Sequence, residues 1–459
     1  MEIIANLQEL LGTDKVLLDQ DVTERFHHIW HMDSPLNAKA VLLPRTTEDI
    51  SNIMKICHEY SQPVVVHGGL TNLVGSTETN QNEIVISMEK LNEIEELDPA
   101  SRTMTVQAGV ILETIQERAK KTDLLFPLNF GAKGSAQIGG IISTNAGGLR
   151  VFKYGMTRNL VLGLEVVLAD GTIVSSMKKI IKDNSAYDVK QLFIGSEGTL
   201  GIITKAIVKL VEAPKSRTSA FVGINHYDNV VKFLKYMDSG LAGSLSGFEL
   251  IWNDTFKIMT GPTASVKSPL PYYYEYYVLL ESLGSDQISD QNKIENLLAT
   301  AIENGTIKDA VIAANESDLN WFWKIREDVH VLVSQCNHDQ HFDVSIPIPL
   351  IGQTINKMLL DLKQIPEVEN VYSFGHIADG NIHLIVGKEI QSEELIHKVN
   401  KVVYGPLQEI GGSVSAEHGI GVHKKKYLHL CRTEEEIQLM KTMKLALDPC
   451  EILNLGKIF

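Results

Sequence analysis

The sequence is poor in cysteine and in positive charge, and each shortage excludes something. Its 459 residues include four cysteines, Cys57, Cys336, Cys431 and Cys450, widely scattered and never in a CxxC pair. Neither a zinc ribbon nor an iron–sulfur cluster is therefore expected, since both need thiolates at short spacing. Scattered thiols suit a reducing compartment, so a cytoplasmic location is expected, with peripheral contact to a membrane as the variant. Lys and Arg number 42 against 57 Asp and Glu, a net charge of −15. Phosphate backbones are bound by Lys/Arg surfaces, so no nucleic-acid partner is expected. No run of 18 apolar residues occurs, and no integral membrane span is expected. The opening MEIIANLQELLGTD lacks the basic-then-apolar plan of a signal peptide and reads as a short amphipathic helix. There is no repeat and no low-complexity segment. An apolar content of 44% with 22% charged residues is ordinary for a globular protein. The length exceeds what one core supports, which predicts two or three domains.

What is present begins with RTTEDISNIMKIC (45–57). Thr46 or Thr47 caps a helix there, and Ile50, Ile53, Met54 and Cys57 form one apolar stripe. PVVV (63–66) reads as a buried strand and runs into HGGLTNLVGS (67–76). EIVISM (83–88) and TMTVQAG (103–109) read as strands, and VILETIQERAKK (110–121) as a helix. VLGLEVVLADGTIV (161–174) reads as a hairpin on an Asp-Gly turn. Pro and polar residues cluster at APKSRTS (213–219), which predicts a domain boundary. Beyond it lie aromatic strand-like runs such as PYYYEYYVLLE (271–281) and most of the histidines.

Residues 131–148, GAKGSAQIGGIISTNAGG, contain six glycines. Such a stretch is a poor helix and a poor strand, and reads as backbone approaching something closely. HGGLTNLVGS follows a strand as a phosphate loop should. It lacks the GK[ST] ending of a P-loop and the helix that must follow GxGxxG. Its successive N–H groups can still form an anion nest; a long turn is the alternative. GSEGTLG (195–201) is a third such segment. Together the three point to a large ligand laid along the backbone, with Ser135, Ser143, Thr144 and Asn145 able to reach heteroatoms of a ring.

GHIADGNIH (375–383) places His376 and His383 around Asp379-Gly380. A two-residue type I′ turn pairs Ala378 with Asn381, Ile377 with Ile382, and His376 directly with His383. Paired residues share a face, so the two imidazoles either stack or hold one metal ion. In SVSAEHGIG (413–421), Glu417 and His418 are adjacent; in an extended segment their side chains diverge, one toward a metal and one toward substrate. Two His and a carboxylate suit Zn²⁺, with Mn²⁺ or Fe²⁺ as alternatives. His423 and His429, among lysines, read as surface residues. WFWKIRED (321–328) puts Trp323 and Arg326 on one helix face, with His330 one turn further along. Arg326 either pairs with a nearby acid or holds a substrate carboxylate through two parallel hydrogen bonds.

In this order, the glycine loop after PVVV, FPLNFGAKGSAQIGGIISTNAGG, YGMTRNLVLGLEVVLADG, FIGSEGTLGIIT, WKIRE, FDVSIP, GHIADGNIH, AEHGIG and LDPCEILNLGKIF resemble one family. It is that of the FAD-dependent D-2-hydroxyacid dehydrogenases of the vanillyl-alcohol-oxidase superfamily: D-lactate dehydrogenases, glycolate oxidase flavin subunits and D-2-hydroxyglutarate dehydrogenases. The resemblance covers nearly the whole chain. It implies an α+β fold with a two-part FAD-binding domain of the PCMH type (1–215). A cap domain built on an antiparallel sheet with helices follows (216–415), and then a C-terminal segment returning to the FAD domain (416–459). It implies that His67, Gly68, Gly69, Leu70, Thr71, Asn72, Gly75 and Ser76 wrap the pyrophosphate. Gly134, Ser135, Ile138, Gly139, Gly140, Ser143, Thr144, Asn145 and Gly147 would line the isoalloxazine, and Pro127 would also bind the cofactor. Glu197, Gly198, Gly201, Ile202 and Ile203 would meet the adenine and ribose side, with Asn454 near the flavin. His376, His383 and Glu417 match metal ligands, His418 the base beside substrate, and Arg326 the carboxylate-binding arginine.

Departures from the family pattern shape the remaining expectations. The pyrophosphate loop, usually Arg-Gly-Gly-Gly, reads His67-Gly68-Gly69-Leu70. Thr71 stands where some superfamily members carry a flavin-linking His, so the expected FAD is non-covalent. Leu455 replaces a usual Pro. Substrate contacts of the hydroxyglutarate branch stand where this chain has His330, His341 and Ile385; the aliphatic Ile385 favours a D-lactate-like acid over D-2-hydroxyglutarate or D-malate. A metal-free flavin alcohol or sugar oxidase of the same superfamily is the further alternative. Electrons would pass to an external acceptor, an electron-transfer flavoprotein, a quinone or a cytochrome. A homodimer is the expected assembly if relatives are a guide.

Overall fold

The computed structural model describes residues 2–30, 32 and 34–459. The chain divides into two compact units. One comprises residues 1–148, 155–213 and 417–459, and the other residues 149–154 and 214–416. Among the described residues no helix is long and apolar enough to cross a membrane.

Among the described residues the first unit holds three sheets. Strands β1 (Val16–Leu17), β2 (Ala40–Leu42), β3 (Val64–His67) and β4 (Ile84–Ser87) form a sheet of order β1-β2-β4-β3. Its β2, β4 and β3 are parallel. These strands are short β-branched runs without alternation, as suits strands covered on both faces. The helix Thr47–Glu59 packs its Ile50, Ile53, Met54 and Cys57 into the core. Thr46 rather than Thr47 is the cap, in a reciprocal capping box with Asp49. Strands β5 (Ile94–Asp98), β6 (Thr103–Gln107), β8 (Val161–Val167), β9 (Ile173–Ser176) and β10 (Ile202–Lys209) make an antiparallel sheet of order β5-β6-β10-β8-β9. The β8–β9 hairpin turns at Asp170-Gly171, with Val167 paired to Ile173. The short β7 (Leu124–Leu125) and β11 (Val211–Glu212) pair with each other. The C-terminal segment returns to this unit: Leu453 bridges Val64 of β3 in parallel.

The second unit is a seven-stranded antiparallel sheet. Its strands are β12 (Ser216–Ile224), β13 (Leu245–Trp252), β14 (Tyr276–Gly284), β15 (Asp309–Ile312), β16 (His338–Ser345), β17 (Val368–His376) and β18 (Asn381–Lys388). Their order is β15-β12-β14-β13-β17-β18-β16. One face is packed with an apolar, largely aromatic cluster that includes Phe221, Phe256, Tyr277, Phe322, Trp323 and Phe374. Phe256 stacks on Tyr277 with ring centroids 3.7 Å apart. Side chains on one face of an antiparallel sheet line up across strands. The register therefore places Glu281, Glu249, His376, His383 and Asp343 in a row along that face.

Three local expectations are corrected. The glycine stretch 131–148 is not irregular throughout: Ile138–Thr144 is a helix, ended by Asn145 in the left-handed region. Ile138, Ile141 and Ile142 at helical spacing enter the core, and that burial overrides the low propensity of the glycines. The segment 413–421 is not a strand; after one bridge at Ser413 it turns through Ala416, Glu417 and His418. The helix carrying Arg326 ends at Glu327, so His330 opens a separate short turn and is exposed instead of continuing the same face.

Candidate active site

The centre of the sheet face is a carboxylate that the sequence reading missed. Glu249 is fully buried on β13. Its Oε2 accepts from Arg326 Nε at 2.7 Å and its Oε1 from His376 Nδ1 at 2.6 Å. Burial alone would raise its pKa, but His376 and Arg326 outweigh it and hold the carboxyl below its ordinary value. A glutamate inside the apolar run GFELIW was the available signal, because Glu is almost never buried without partners. Arg326 is buried and lies over Phe374, its guanidinium carbon 4.6 Å from the ring centroid. With Nε occupied, its terminal nitrogens make no hydrogen bond among the described residues. A fork held at its base and open at its tip suits a carboxylate.

The histidine hairpin keeps its parity but not its expected register. β17 ends at His376 and β18 starts at Asn381, so His376 pairs with Asn381, and His383 pairs with Phe374. The turn spans four residues, Ile377 to Gly380. A type I′ turn needs positive φ at both central residues; Gly380 has φ 85° while Asp379 does not. Burial pushes the Asp379 carboxyl up to about 6. A slip of two residues leaves both histidines on one face. Their rings meet edge to face with centroids 5.3 Å apart. On the other side of His383, in register, stands Asp343, also buried and also missed. The backbone N–H of Ala416 donates to Asp343 Oδ2 at 3.2 Å, which holds the chain leading into Glu417.

His376, His383 and Glu417 offer one donor atom each within 4.8 Å of one another, and so do Asp343, Glu417 and His418. The side chains of Glu417 and His418 therefore converge instead of diverging, because the segment is a turn. Donor chemistry fits a divalent ion. The hydrogen bond between His376 Nδ1 and Glu249 is the usual carboxylate–histidine arrangement, which orients a ring for metal ligation through Nε2. His341 is exposed and its ring pairs with Asp339 at 2.6 Å. Ile385 is buried within the aromatic cluster. His423 is exposed and pairs with Glu78 at 2.8 Å.

In the first unit the glycine segments come together. A side chain on Gly69 would overlap the carbonyl of Ser135, and Gly68 lies 3.8 Å from Gly140 by the same construction. The N–H of Glu197 donates to the carbonyl of Ser143 at 2.8 Å, tying the third segment to the second. A Cβ at Gly140 would meet nothing within 4 Å, so this backbone borders open space. The Glu197 carboxylate is engaged by protein: it accepts from the N–H groups of Ile420 and Gly421 at 2.7 and 2.9 Å and from the Ser76 hydroxyl at 2.9 Å. Asn454 donates to the Glu197 carbonyl at 2.6 Å and accepts from the Val66 N–H at 3.0 Å. These two residues brace the glycine segments. The His67 ring turns inward onto the Thr77 carbonyl, and burial pushes it down to about 3. It is neutral at pH 7, so an anion at this loop would have to rely on backbone N–H groups. Leu70, where the family usually has glycine, sits at φ 56°, a strained setting for a side chain. Gly201, Ile202 and Ile203 are buried at the start of β10, and Pro127 is buried as well.

Residues 38–176 match the family described as FAD binding domain, and residues 213–458 match FAD linked oxidases, C-terminal domain. The protein is an FAD-linked oxidoreductase with an FAD-binding domain and an FAD-linked-oxidase C-terminal domain. The D-2-hydroxyglutarate dehydrogenase, mitochondrial, of Arabidopsis thaliana is 34% identical over 99% of this chain and 81% of its own length. A Schizosaccharomyces pombe protein provisionally named a mitochondrial D-lactate dehydrogenase is 37% identical over 96% of this chain and 85% of its own length. The chain belongs to the FAD-linked D-2-hydroxyglutarate/D-lactate dehydrogenase family. The fold is also that of a 4-ethylphenol oxidase from Gulosibacter chungangensis, at a TM-score of 0.74 and 17% identity, covering 100% of this chain and 96% of that one.

Proposed function

We propose that the protein oxidises the hydroxyl of a D-2-hydroxy acid, D-2-hydroxyglutarate first, to the 2-oxo acid. FAD would be held non-covalently, since Thr71 offers no linking imidazole. The observation that carries this reading is the Glu249 junction, which fixes a carboxylate receptor, Arg326, and a metal-type histidine, His376, on one buried acid. Arg326 takes the substrate carboxylate through its two terminal nitrogens. His376, His383 and Glu417 would hold a divalent ion, Zn²⁺ by donor type with Mn²⁺ or Fe²⁺ as alternatives. When bound, the ion would supply charge that lowers the hydroxyl pKa, and FAD would accept the hydride. His418 takes the hydroxyl proton near neutral pH. The chain lacks cluster and haem motifs, so electrons leave to an external acceptor such as an electron-transfer flavoprotein, a quinone or a cytochrome.

D-lactate is the second reading, favoured by the apolar Ile385 and by the name of the fission-yeast relative. Anaerobic flavin bleaching across D-2-hydroxyglutarate, D-lactate, D-malate, glycolate and the L-enantiomers decides between them. D-2-hydroxyglutarate should bleach the flavin at the lowest concentration. A flavin that none of these acids reduces ends the proposal.

A further inference from the structure

Next to Glu249 along the same sheet face stands a second buried carboxylate, Glu281 of β14, paired with Gly247 of β13. Two arginines grip it by their side nitrogens. Arg150 Nε lies 3.1 Å from Oε1, and Arg217 Nε lies 2.6 Å from Oε2. The Ser246 hydroxyl also donates to Oε1, at 2.9 Å. Lys153, three residues after Arg150, donates to the Leu283 carbonyl at 2.6 Å. Arg217 lies over Trp323, 5.9 Å from the ring centroid. The indole N–H of Trp323 is buried and finds no acceptor among the described residues.

This repeats the arrangement of Arg326. Each guanidinium is anchored through Nε to a buried glutamate, and its terminal nitrogens make no hydrogen bond among the described residues. A purely structural ion network would close on itself. Here Arg150, Arg217 and Lys153 face Glu281 and the more distant Asp290, whose carboxylate is engaged by Ser216 and by the N–H groups of Ser285 and Asp286. The cluster is one anion short, and its open donors are planar forks that match a carboxylate.

The spacing matches a short dicarboxylate. Gly247 and Glu249 are two residues apart on one strand, about 7 Å. The carboxylate carbons of an extended five-carbon diacid are about 5 Å apart, with oxygens reaching further. A Cβ on Gly247 would touch Trp323 at 3.5 Å and Glu281 at 3.6 Å, so this glycine lies between the two arginine sites. The histidines that stand at the hydroxyglutarate branch's substrate-contact positions are poorly suited to a distal acid, since His330 is exposed on a separate turn and His341 is already matched by Asp339.

We propose that Arg150 and Arg217 form the subsite for the distal carboxylate of a 2-hydroxy dicarboxylate whose proximal carboxylate is taken by Arg326. This rests on the reading of Arg326 given under the proposed function. Calorimetric titration of the flavin-loaded enzyme with glutarate and with butyrate tests it without any chemistry, since neither can be oxidised. Wild-type enzyme should bind glutarate at least tenfold more tightly than butyrate. Arg217→Gln, and separately Arg150→Lys, should erase that preference. Both should also lower the ratio of kcat/KM for D-2-hydroxyglutarate to that for D-lactate at least tenfold. Arg217 is over a third exposed, so its variant should fold, which a thermal melt checks. A wild-type enzyme without a glutarate preference, or variants that keep it, overturns the subsite. A glutarate preference that depends on these arginines, in an enzyme that oxidises no hydroxy acid, upholds the subsite and ends the catalytic reading instead.

Discussion

Replacing His383 with alanine is expected to cost about a thousandfold or more in the rate of flavin reduction, roughly 4 kcal/mol of transition-state stabilisation. The reason is stoichiometric. A catalytic metal site with three protein donors does not survive on two, and His383 is one of the three in the His376, His383 and Glu417 group. The flavin should stay bound, because the glycine segments expected to cradle it lie in the first unit and share no residue with this hairpin. Metal analysis, the flavin spectrum and stopped-flow reduction on one preparation separate these effects. Unchanged reduction in His383→Ala, together with indifference of the wild type to a chelator, would remove the metal from the mechanism.

Glu249→Ala should do damage of a different kind. Its carboxylate neutralises Arg326 and orients His376 at once. Removing one partner of a buried pair strands the other, at about 3–5 kcal/mol of folding stability. Glu249→Gln keeps the shape and is the more informative variant. It loses the charge, so the histidine is less well oriented and metal affinity should fall about 10–100-fold. The substrate KM should rise as well, because Arg326 is no longer anchored. Arg326→Ala, by contrast, should raise KM and lower kcat/KM by about 3 kcal/mol while leaving metal affinity in place. Competition with a chromophoric chelator measures the first quantity and steady-state kinetics the second. Should Glu249→Gln retain wild-type metal affinity and KM, its junction role would be dismissed.

The contrast between these residues shows where sequence reasoning works. The glycine segments are legible because glycine at such density serves little besides close approach of the backbone, and the structure brings all three together. The histidine pair is legible in parity but not in register. Alternation along a strand is a local property, whereas the turn is set by which residue adopts positive φ: Gly380 does and Asp379 does not. Leu70 stands out in the sequence as a lost glycine, but only the backbone shows that it sits where glycine would have been unstrained. His67 stands out as a weakened charge, and burial on Thr77 removes the charge altogether.

By itself the sequence pointed to a large ligand laid along glycine-rich backbone and to the side chains that could carry acid–base and metal chemistry, because these follow from composition and local periodicity; the flavin and the α+β fold were implied only by the resemblance of the ordered motifs to one family. Tertiary structure decided the partnerships. Glu249 and His376 are 127 residues apart and meet only because β13 lies beside β17. Glu281 gathers Arg150, from before the 213–219 boundary region, and Arg217, from within it, in the same way. Strand order is chosen by packing of the whole sheet, and periodicity assigns a residue to a face without naming its neighbour. A buried charge is tolerated only where that neighbour supplies the opposite one, so the residues that do most to organise this site were those least visible along the chain.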